Sequence, residues 1–207
     1  MDDREERNQN EVKFEGLIQG LIDNNYGCCD DFVNARTIVG LREKMLLLNR
    51  DGEMNAAGLG QNTGFQKNKQ IRGDKIKWIE KDSHDQYEGV YLRMIEAFIV
   101  YLNKTCYTSI NEYESHYANY ERNSFYKRHL DQFKNDIGRK FSIVLYLNED
   151  WQMDDGGILS LYLASGQQKD ISPVGGRMVF FKSDQIEHEV HPSLTRDRAS
   201  IAGWLKG

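Results

Sequence analysis

The stretch Phe141-Ser-Ile-Val-Leu-Tyr-Leu-Asn148 decides the fold. Its odd-numbered positions are all apolar, and Ser142, Val144 and Tyr146 lie between them. A period of two is typical of a β-strand that turns one face to a hydrophobic core and the other face to a different environment. Gly-rich turn signals separate this segment from others like it. We therefore predict strands over residues 117–120, 141–148, 158–163, 177–182 and 198–205, and one near His188.

The first half of the chain has a helical period instead. Apolar residues recur three or four positions apart within residues 14–21, 38–48 and 91–102, which predicts three amphipathic helices. Residues 1–10 are polar, and we expect them to be disordered. Residues 51–70 are rich in Gly, Asn and Gln, so we expect a long mobile loop there.

The order of these elements predicts the fold class. Helices that precede a run of strands indicate an α+β domain, with the helices packed on one face of a β-sandwich or barrel. The 207 residues are expected to form a single domain, 1–207. Residues 11–104 would supply mainly helical support and the loop, with one short strand within residues 71–80, and residues 105–207 would form the barrel.

The composition restricts the class of protein. Hydrophobic residues make up 39% of the chain, the net charge is −5 and there is no basic block, so nucleic-acid binding is not expected. The longest apolar runs are too short to cross a bilayer, and the charged start lacks the apolar core of a signal peptide. Three cysteines without CxxC spacing indicate reduced thiols. We expect a cytoplasmic protein with no membrane or nucleic-acid partner.

A metal site is indicated by His129-Leu130-Asp131. In an extended chain, residues two apart point to the same face, so this imidazole and this carboxylate can reach one point. The segment Glu187-His-Glu-Val-His191 offers a third ligand. Two histidines and one carboxylate are typical of non-haem iron oxygenases, whereas closed zinc sites prefer four ligands that include cysteine. The competing interpretation, in which His188 and His191 are surface histidines in a polar turn, stays open at this point.

The strand over residues 198–205 favours a lined cavity. Arg198 and Trp204 share one of its faces, with small residues between them. If the more polar face of the 141–148 strand lines the same cavity, Tyr146 can present a phenol to an anion that Arg198 binds. A guanidinium binds a carboxylate through two parallel hydrogen bonds, so Arg198 suits a dicarboxylate ligand. The alternative is that Arg198 is an exposed charge at a sheet edge.

In this order, the segments resemble the prolyl hydroxylase branch of the 2-oxoglutarate oxygenases, in particular the type that modifies hypoxia-inducible factor and its bacterial relatives. The resemblance covers about residues 70–205. It is carried by residues 71–80, 120–131, 145–151, 156–162, 177–183, 188–190 and 198–204.

The resemblance implies a double-stranded β-helix, a jelly-roll barrel with N-terminal supporting helices. In the matching segments, His129, Asp131 and His188 take the positions of the iron ligands. Arg198 takes the position that holds the distal carboxylate of 2-oxoglutarate, and Tyr146 assists it. Further pocket residues implied by the match are Tyr120, Trp204 and Leu159.

The resemblance also implies a substrate-binding region beside the pocket. Asp74 is expected to pair with Arg139 and to hold the base of the 51–70 loop, which would close over a peptide. His191 is expected to lie outside the site, since residues three apart in a strand face opposite sides.

The implied activity is that of an Fe(II)- and 2-oxoglutarate-dependent dioxygenase that hydroxylates a prolyl residue of a protein and releases succinate and CO2. Its expected cofactors are Fe(II), 2-oxoglutarate and O2, with ascorbate as a candidate addition. A translation elongation factor is the expected kind of partner, because bacterial relatives act on translation machinery. Two alternatives stay open: an oxygenase of a small molecule such as a free amino acid, and a non-catalytic module that senses oxygen or 2-oxoglutarate.

Overall fold

Three α-helices form one layer of the structure, a computed structural model that describes residues 3–58, 71–132 and 138–207. Asn34 caps the second helix, because its side-chain oxygen accepts a hydrogen bond from the backbone N–H of Thr37 (2.9 Å). Asp85 caps the third helix in the same way. No helix that the structure describes is long and apolar enough to cross a membrane. The helices are α1, Asp3–Asn24; α2, Ala35–Arg50; and α3, Gln86–Cys106.

The described residues also form eleven β-strands. These strands are β1, Tyr26–Cys29; β2, Asn55–Ala56; β3, Lys75–Trp78; β4, Glu112–Tyr120; β5, Tyr126–His129; β6, Arg139–Tyr146; β7, Leu159–Tyr162; β8, Gln168–Ile171; β9, Met178–Lys182; β10, Glu187–Val190; and β11, Arg198–Lys206. They make two antiparallel sheets. The larger sheet has the order β1-β9-β6-β11-β4-β3-β2, and the smaller sheet has the order β5-β10-β7-β8. The α+β class predicted from the sequence is confirmed.

The helices pack on the larger sheet and bury an extensive hydrophobic core with it. Phe98 of α3 is fully buried in this core. The centroid of its ring lies 5.1 Å from the ring of Phe14 in α1 and 5.1 Å from the ring of Phe180 in β9. Aromatic contacts of this kind add to the burial of apolar area and fix how the helices sit on the sheet.

The alternation predicted for the 141–148 segment is confirmed in β6. Ile143 and Leu145 belong to the core under the helices. Val144 and Tyr146 pack instead with a second cluster, to which both sheets contribute side chains. One face of β6 therefore supports the fold, and the other faces the space between the sheets.

Two strands come from a region that the sequence predicted as helical support and loop. β1 and β2 precede residue 105, yet both join the larger sheet, whereas β3 confirms the short strand expected within residues 71–80. Strands of two to four residues are too short to show a period, and the same reason explains why β8 was not predicted. Gly27 in β1 allows α1 to cross closely, because a Cβ there would lie 2.1 Å from the carbonyl oxygen of Leu17.

The chain also becomes helical earlier than expected. α1 begins at Asp3, so the prediction of disorder over residues 1–10 is wrong for residues 3–10. Glu, Arg and Gln are good helix formers, and acidic residues near a helix N-terminus interact favourably with its dipole. Of the loop expected over residues 51–70, residues 51–58 include a turn and β2, and residues 59–70 lie outside the described residues.

We expect Phe98→Ala to lower the free energy of unfolding by about 3–5 kcal/mol, since it removes a fully buried ring that contacts three others. Val100→Ala, at an exposed position of the same helix, is the control and should change that free energy by less than about 0.5 kcal/mol. Urea denaturation followed by circular dichroism measures both. Equal losses in the two variants would contradict the packing of α3 described above.

Candidate active site

Three potential metal ligands converge on the smaller sheet. His129 is the last residue of β5, Asp131 follows two residues later, and His188 lies on β10 directly opposite His129. The Nε2 atoms of His129 and His188 lie 3.6 Å and 3.5 Å from the carboxylate oxygens of Asp131. Ligand atoms of the three residues all lie within 4.8 Å of one another. The structure therefore brings together the three predicted ligands.

Hydrogen bonds to the backbone orient both imidazoles. Nδ1 of His129 donates to the carbonyl of Lys127 (2.7 Å), and Nδ1 of His188 donates to the carbonyl of Ile186 (3.2 Å). A proton on Nδ1 leaves the lone pair on Nε2, which is the atom that faces Asp131 in each ring. Tyr126 stacks on His129 with ring centroids 3.5 Å apart. The two Nε2 atoms are thus oriented so that their lone pairs can bind a metal.

Asp131 is held from the larger sheet. The hydroxyl of Ser142 in β6 donates to Asp131 Oδ2 (2.7 Å) and also contacts the hydroxyl of Ser183 (2.8 Å). Burial raises the pKa of Asp131, but the nearby His188 and His129 and the hydrogen bond from Ser142 outweigh it and hold this pKa well below its usual range. Burial lowers the pKa of His188 to about 4, although Asp131 opposes the shift. An ionised carboxylate and a neutral imidazole are the forms that bind a divalent cation.

The three ligands line a cavity of about 500 Å³, to which both sheets contribute walls. A cavity of this volume is typical of a small-molecule site. Leu159 and Val190 from the smaller sheet and Ile76 and Ala118 from the larger sheet give it apolar surface.

Arg198 also lines this cavity, and it is buried with no acidic partner in the part of the chain that the structure describes. Only 1% of the residue is exposed. Its Nε donates to the carbonyl of Gly157 (2.8 Å) and its Nη1 to the hydroxyl of Ser200 (3.4 Å). Among the residues that the structure describes, no carboxylate lies within ion-pair distance of it. A buried cation without a counter-charge is costly, so the cavity requires an anionic ligand at this position.

Two tyrosines flank the Arg198 guanidinium. Its central carbon lies 4.9 Å from the ring centroid of Tyr146 and 5.1 Å from that of Tyr120. The hydroxyl of Tyr146 is buried and makes no hydrogen bond of ordinary geometry with the described residues. Burial raises the pKa of Tyr146 to about 12, although Arg198 opposes the shift, so the hydroxyl stays a neutral donor. Tyr120 lines the cavity, whereas Tyr146 lies beside Arg198 and is not part of the cavity lining.

The other predicted pocket residues divide into two groups. Trp204, Leu159 and Arg139 line the cavity, whereas Asp74 is buried outside it. The prediction that Asp74 pairs with Arg139 is wrong. Asp74 accepts two hydrogen bonds from Arg72, and Arg139 is paired with Glu114 (2.9 Å). Residues two apart in an extended segment lie on the same side, so Arg72 reaches Asp74 without any long-range contact.

His191 lies outside the metal site, as predicted. Its Nε2 is 2.8 Å from the hydroxyl of Ser160, which donates in turn to Asp170. These residues hold β7, β8 and the end of β10 together, and they do not line the cavity. His191 therefore has a partner of its own away from the triad.

Sequence reasoning missed three residues at the site: Ser142, His116 and Arg72. Ser142 holds Asp131, His116 lines the cavity, and the Arg72 guanidinium lies 4.2 Å above the ring of Tyr126 that stacks on His129. Alternation had already assigned Ser142 to the cavity face, but no motif marked it as a partner of Asp131. The contacts of His116 depend on which strands become neighbours, and no local pattern carries that information.

Comparisons with known proteins agree with this geometry. Residues 115–206 match the family model of the 2OG-Fe(II) oxygenase superfamily. A prolyl-4-hydroxylase from Pseudomonas putida, known from its crystal structure, is 33% identical, with a TM-score of 0.86 over 94% of this chain and 99% of that one. A prolyl hydroxylase from Trichoplax adhaerens, solved with a peptide fragment of hypoxia inducible factor, has a TM-score of 0.89 at 25% identity, over 100% of this chain and 94% of that one.

Human Egl nine homolog 1 is 32% identical over 190 residues, which are 87% of this chain and 44% of the human protein. The chain spans between 44% and 55% of the length of the Egl nine proteins that it matches.

Two imidazoles and one carboxylate inside an antiparallel barrel define the class of non-haem iron oxygenases. This chain belongs to the 2OG-Fe(II) oxygenase superfamily, and its two sheets form the double-stranded β-helix of that family. The cofactors of the family are Fe(II) and 2-oxoglutarate. The triad fits the metal, and Arg198, which has no counter-charge among the described residues, fits a dicarboxylate together with the Tyr146 hydroxyl.

We expect His188→Ala to lower the affinity for Fe(II) by at least about 100-fold, since it removes a ligand and not merely an outer hydrogen bond. His191→Ala is the matched control, because it removes the nearby histidine that bonds to Ser160, and it should change the affinity by less than about two-fold. Anaerobic metal titration measures both constants. A larger loss in the His191 variant would reverse the assignment of the third ligand.

Proposed function

We propose that the protein hydroxylates a prolyl residue of a polypeptide, using O2 and 2-oxoglutarate and releasing succinate and CO2. The observation that carries this proposal is that Arg198, buried with no counter-charge among the described residues, lies in the same cavity as the His129, Asp131 and His188 triad. The prolyl part is supported by the relatives, one a prolyl-4-hydroxylase and another a prolyl hydroxylase solved with a peptide.

The residues around the cavity have separate roles in the proposed reaction. His129, Asp131 and His188 would hold Fe(II) through two imidazoles and one carboxylate. Arg198 can donate two parallel hydrogen bonds to the distal carboxylate of 2-oxoglutarate, and the neutral hydroxyl of Tyr146 can add a third. When bound, the metal and 2-oxoglutarate supply the oxidising chemistry that hydroxylates a C–H bond.

The protein also shapes the space around that chemistry. Leu159 and Val190 are buried in the cavity wall, where they exclude water from the reacting groups. Arg72, stacked above Tyr126, covers the ring that in turn stacks on His129. This stack on one face of the ring, together with the hydrogen bond of Nδ1 to Lys127, therefore keeps the imidazole in one orientation.

The outer part of the cavity suits a polypeptide better than a small molecule. Trp78 of β3 lines the cavity and yet is 43% exposed, so apolar surface continues from the cavity to the outside. An exposed aromatic ring beside a binding cavity is typical of surface that a macromolecular partner covers. The resemblance to bacterial relatives favours a translation elongation factor of the cytoplasm, with the proline in a flexible loop, as the first substrate to test.

We expect Arg198→Leu to raise the KM for 2-oxoglutarate by about 100-fold or more, since the distal carboxylate loses its charged partner. Arg198→Lys keeps the charge but not the planar pair of donors, so its KM should lie between those of the wild type and the leucine variant. Succinate formation at varied 2-oxoglutarate measures all three. A leucine variant with the wild-type KM would remove Arg198 from the cosubstrate site.

The prolyl activity is tested by mass spectrometry of candidate substrates. The protein is mixed anaerobically with Fe(II) and 2-oxoglutarate, oxygen is admitted, and a purified translation elongation factor is added. We expect one oxygen atom on one prolyl residue, formed in step with succinate. Turnover of free amino acids without any change in proteins would contradict the polypeptide substrate. The absence of 2-oxoglutarate-dependent succinate under every condition would contradict an oxygenase activity altogether.

A further inference from the structure

Two buried polar atoms in the cavity wall have no hydrogen-bond partner among the described residues and no role in the proposed cosubstrate site. They are Nδ1 of His116 and the indole nitrogen of Trp204. His116 is only 3% exposed, and both residues line the cavity. Leaving a buried polar atom unpaired costs free energy. Two such atoms in one wall therefore indicate a ligand group that satisfies them.

The other unpaired atoms of this kind belong elsewhere. The hydroxyl of Tyr146 lies beside Arg198 and is accounted for by the dicarboxylate. Asn119 comes one residue before Tyr120 on β4, so its side chain points to the opposite face of the strand from His116. Of the described residues with such an atom, His116 and Trp204 are the two that line the cavity.

The strand register places these two side chains next to each other. His116 of β4 lies opposite Ala202 of β11, and Trp204 is two residues further on the same face of β11. Their ring centroids are 5.4 Å apart, at an angle of 30°. Trp78, opposite His116 on β3, adds a third ring 4.9 Å from His116. The three rings form one continuous aromatic wall.

This wall lies beside the metal ligands and away from Arg198. Trp204 is opposite Ser142, which donates to Asp131. Arg198 is the first residue of β11, whereas Trp204 is near the last. A substrate group bound at His116 and Trp204 would therefore sit near the metal, on the side of the cavity that 2-oxoglutarate leaves free.

The chemistry of the wall selects an uncharged acceptor. An indole N–H can only donate a hydrogen bond. Burial lowers the pKa of His116 to about 4, so its imidazole is neutral near pH 7 and Nδ1 can carry a proton. The Arg139 guanidinium lies over the Trp204 ring, 3.6 Å from its centroid, and its charge is offset by the ion pair with Glu114. A peptide carbonyl has two lone pairs, so one oxygen can accept from both His116 and Trp204.

We infer that His116 and Trp204 form an amide-binding subsite, which holds a main-chain carbonyl of the polypeptide next to the prolyl residue that is hydroxylated. The inference rests on the proposed function and makes His116 a residue that determines specificity. Free proline would bring a charged carboxylate to two neutral donors, beside an Arg139 that is already paired with Glu114, and it would lose hydration that these donors cannot replace. The subsite thus favours proline within a peptide over proline as a free amino acid.

The indole N–H of Trp204 reports directly on this subsite. The chain has three tryptophans, so their three indole signals in a proton–nitrogen spectrum can be assigned by Trp→Phe variants. The protein is loaded with Zn(II) in place of Fe(II) and with 2-oxoglutarate, and N-acetyl-Gly-Pro-Gly-amide is added. We expect the Trp204 signal to move downfield and to saturate. The chemical shift of the Trp151 signal should not change, because this indole already donates to the carbonyl of Gly156 (3.1 Å).

A pair of variants at His116 separates the hydrogen bond from the ring packing. His116→Phe keeps an aromatic ring without nitrogen, and it should weaken binding of the blocked peptide about five-fold, the equivalent of one neutral hydrogen bond. His116→Asn keeps a polar atom near the position of Nδ1, and its affinity should stay within about two-fold of the wild type. Thermal unfolding of each variant checks that the fold is retained.

Any of three results would overturn the inference. The Trp204 signal could fail to move at every concentration of the blocked peptide, or it could move by the same amount with free L-proline. Alternatively, the His116→Phe variant could bind the peptide as well as the wild type does. Each of these leaves the proposed oxygenase activity in place. The proposed oxygenase activity would be contradicted by a different result, in which the wild type forms no succinate from 2-oxoglutarate.

Discussion

The buried positive charge of Arg198 is the interaction on which the rest of the site depends. Its hydrogen bonds go to a backbone carbonyl and a hydroxyl, and no described residue supplies a counter-charge. Such a charge is tolerated only if an anion completes the site. With Fe(II) and 2-oxoglutarate bound, the charges of Asp131, Arg198, the metal and the dicarboxylate would sum to zero. Charge balance therefore links the arginine on one sheet to the triad on the other.

The two sheets give this arrangement its rigidity. Arg198 lies on β11 near the centre of the larger sheet, between β6 and β4, and His188 lies on β10 inside the smaller sheet. Asp131 comes from the chain after β5, but Ser142 of β6 holds its carboxylate from the opposite sheet. The helices bury the other face of the larger sheet, so a change in that core would move the strands that carry the site. The strands β6 and β11 thus carry core residues on one face and residues of the site on the other.

Local patterns were sufficient for much of this arrangement. The period of two in β6 and β11 separated the core face from the cavity face, and His129-x-Asp131 indicated a metal site. The choice of His188 over His191 came from the resemblance to known oxygenases and not from a local pattern. Contacts between distant segments could not be predicted from local patterns. The register that sets His116 beside Trp204 depends on β4 and β11 becoming neighbours. The expected pair of Asp74 with Arg139 failed because Arg72, in the same extended segment, satisfies Asp74 first.

The claim that Arg198 exists to hold a dicarboxylate is tested most directly by comparing two 2-oxo acids. The Fe(II)-loaded protein is titrated anaerobically with 2-oxoglutarate and with 2-oxobutanoate, which lacks the distal carboxylate, and the visible charge-transfer band is followed. Both acids can chelate the metal through the same two groups. We predict that 2-oxobutanoate requires a concentration about 100-fold higher to form the band, because nothing in it neutralises Arg198. Equal concentrations for the two acids would contradict the account.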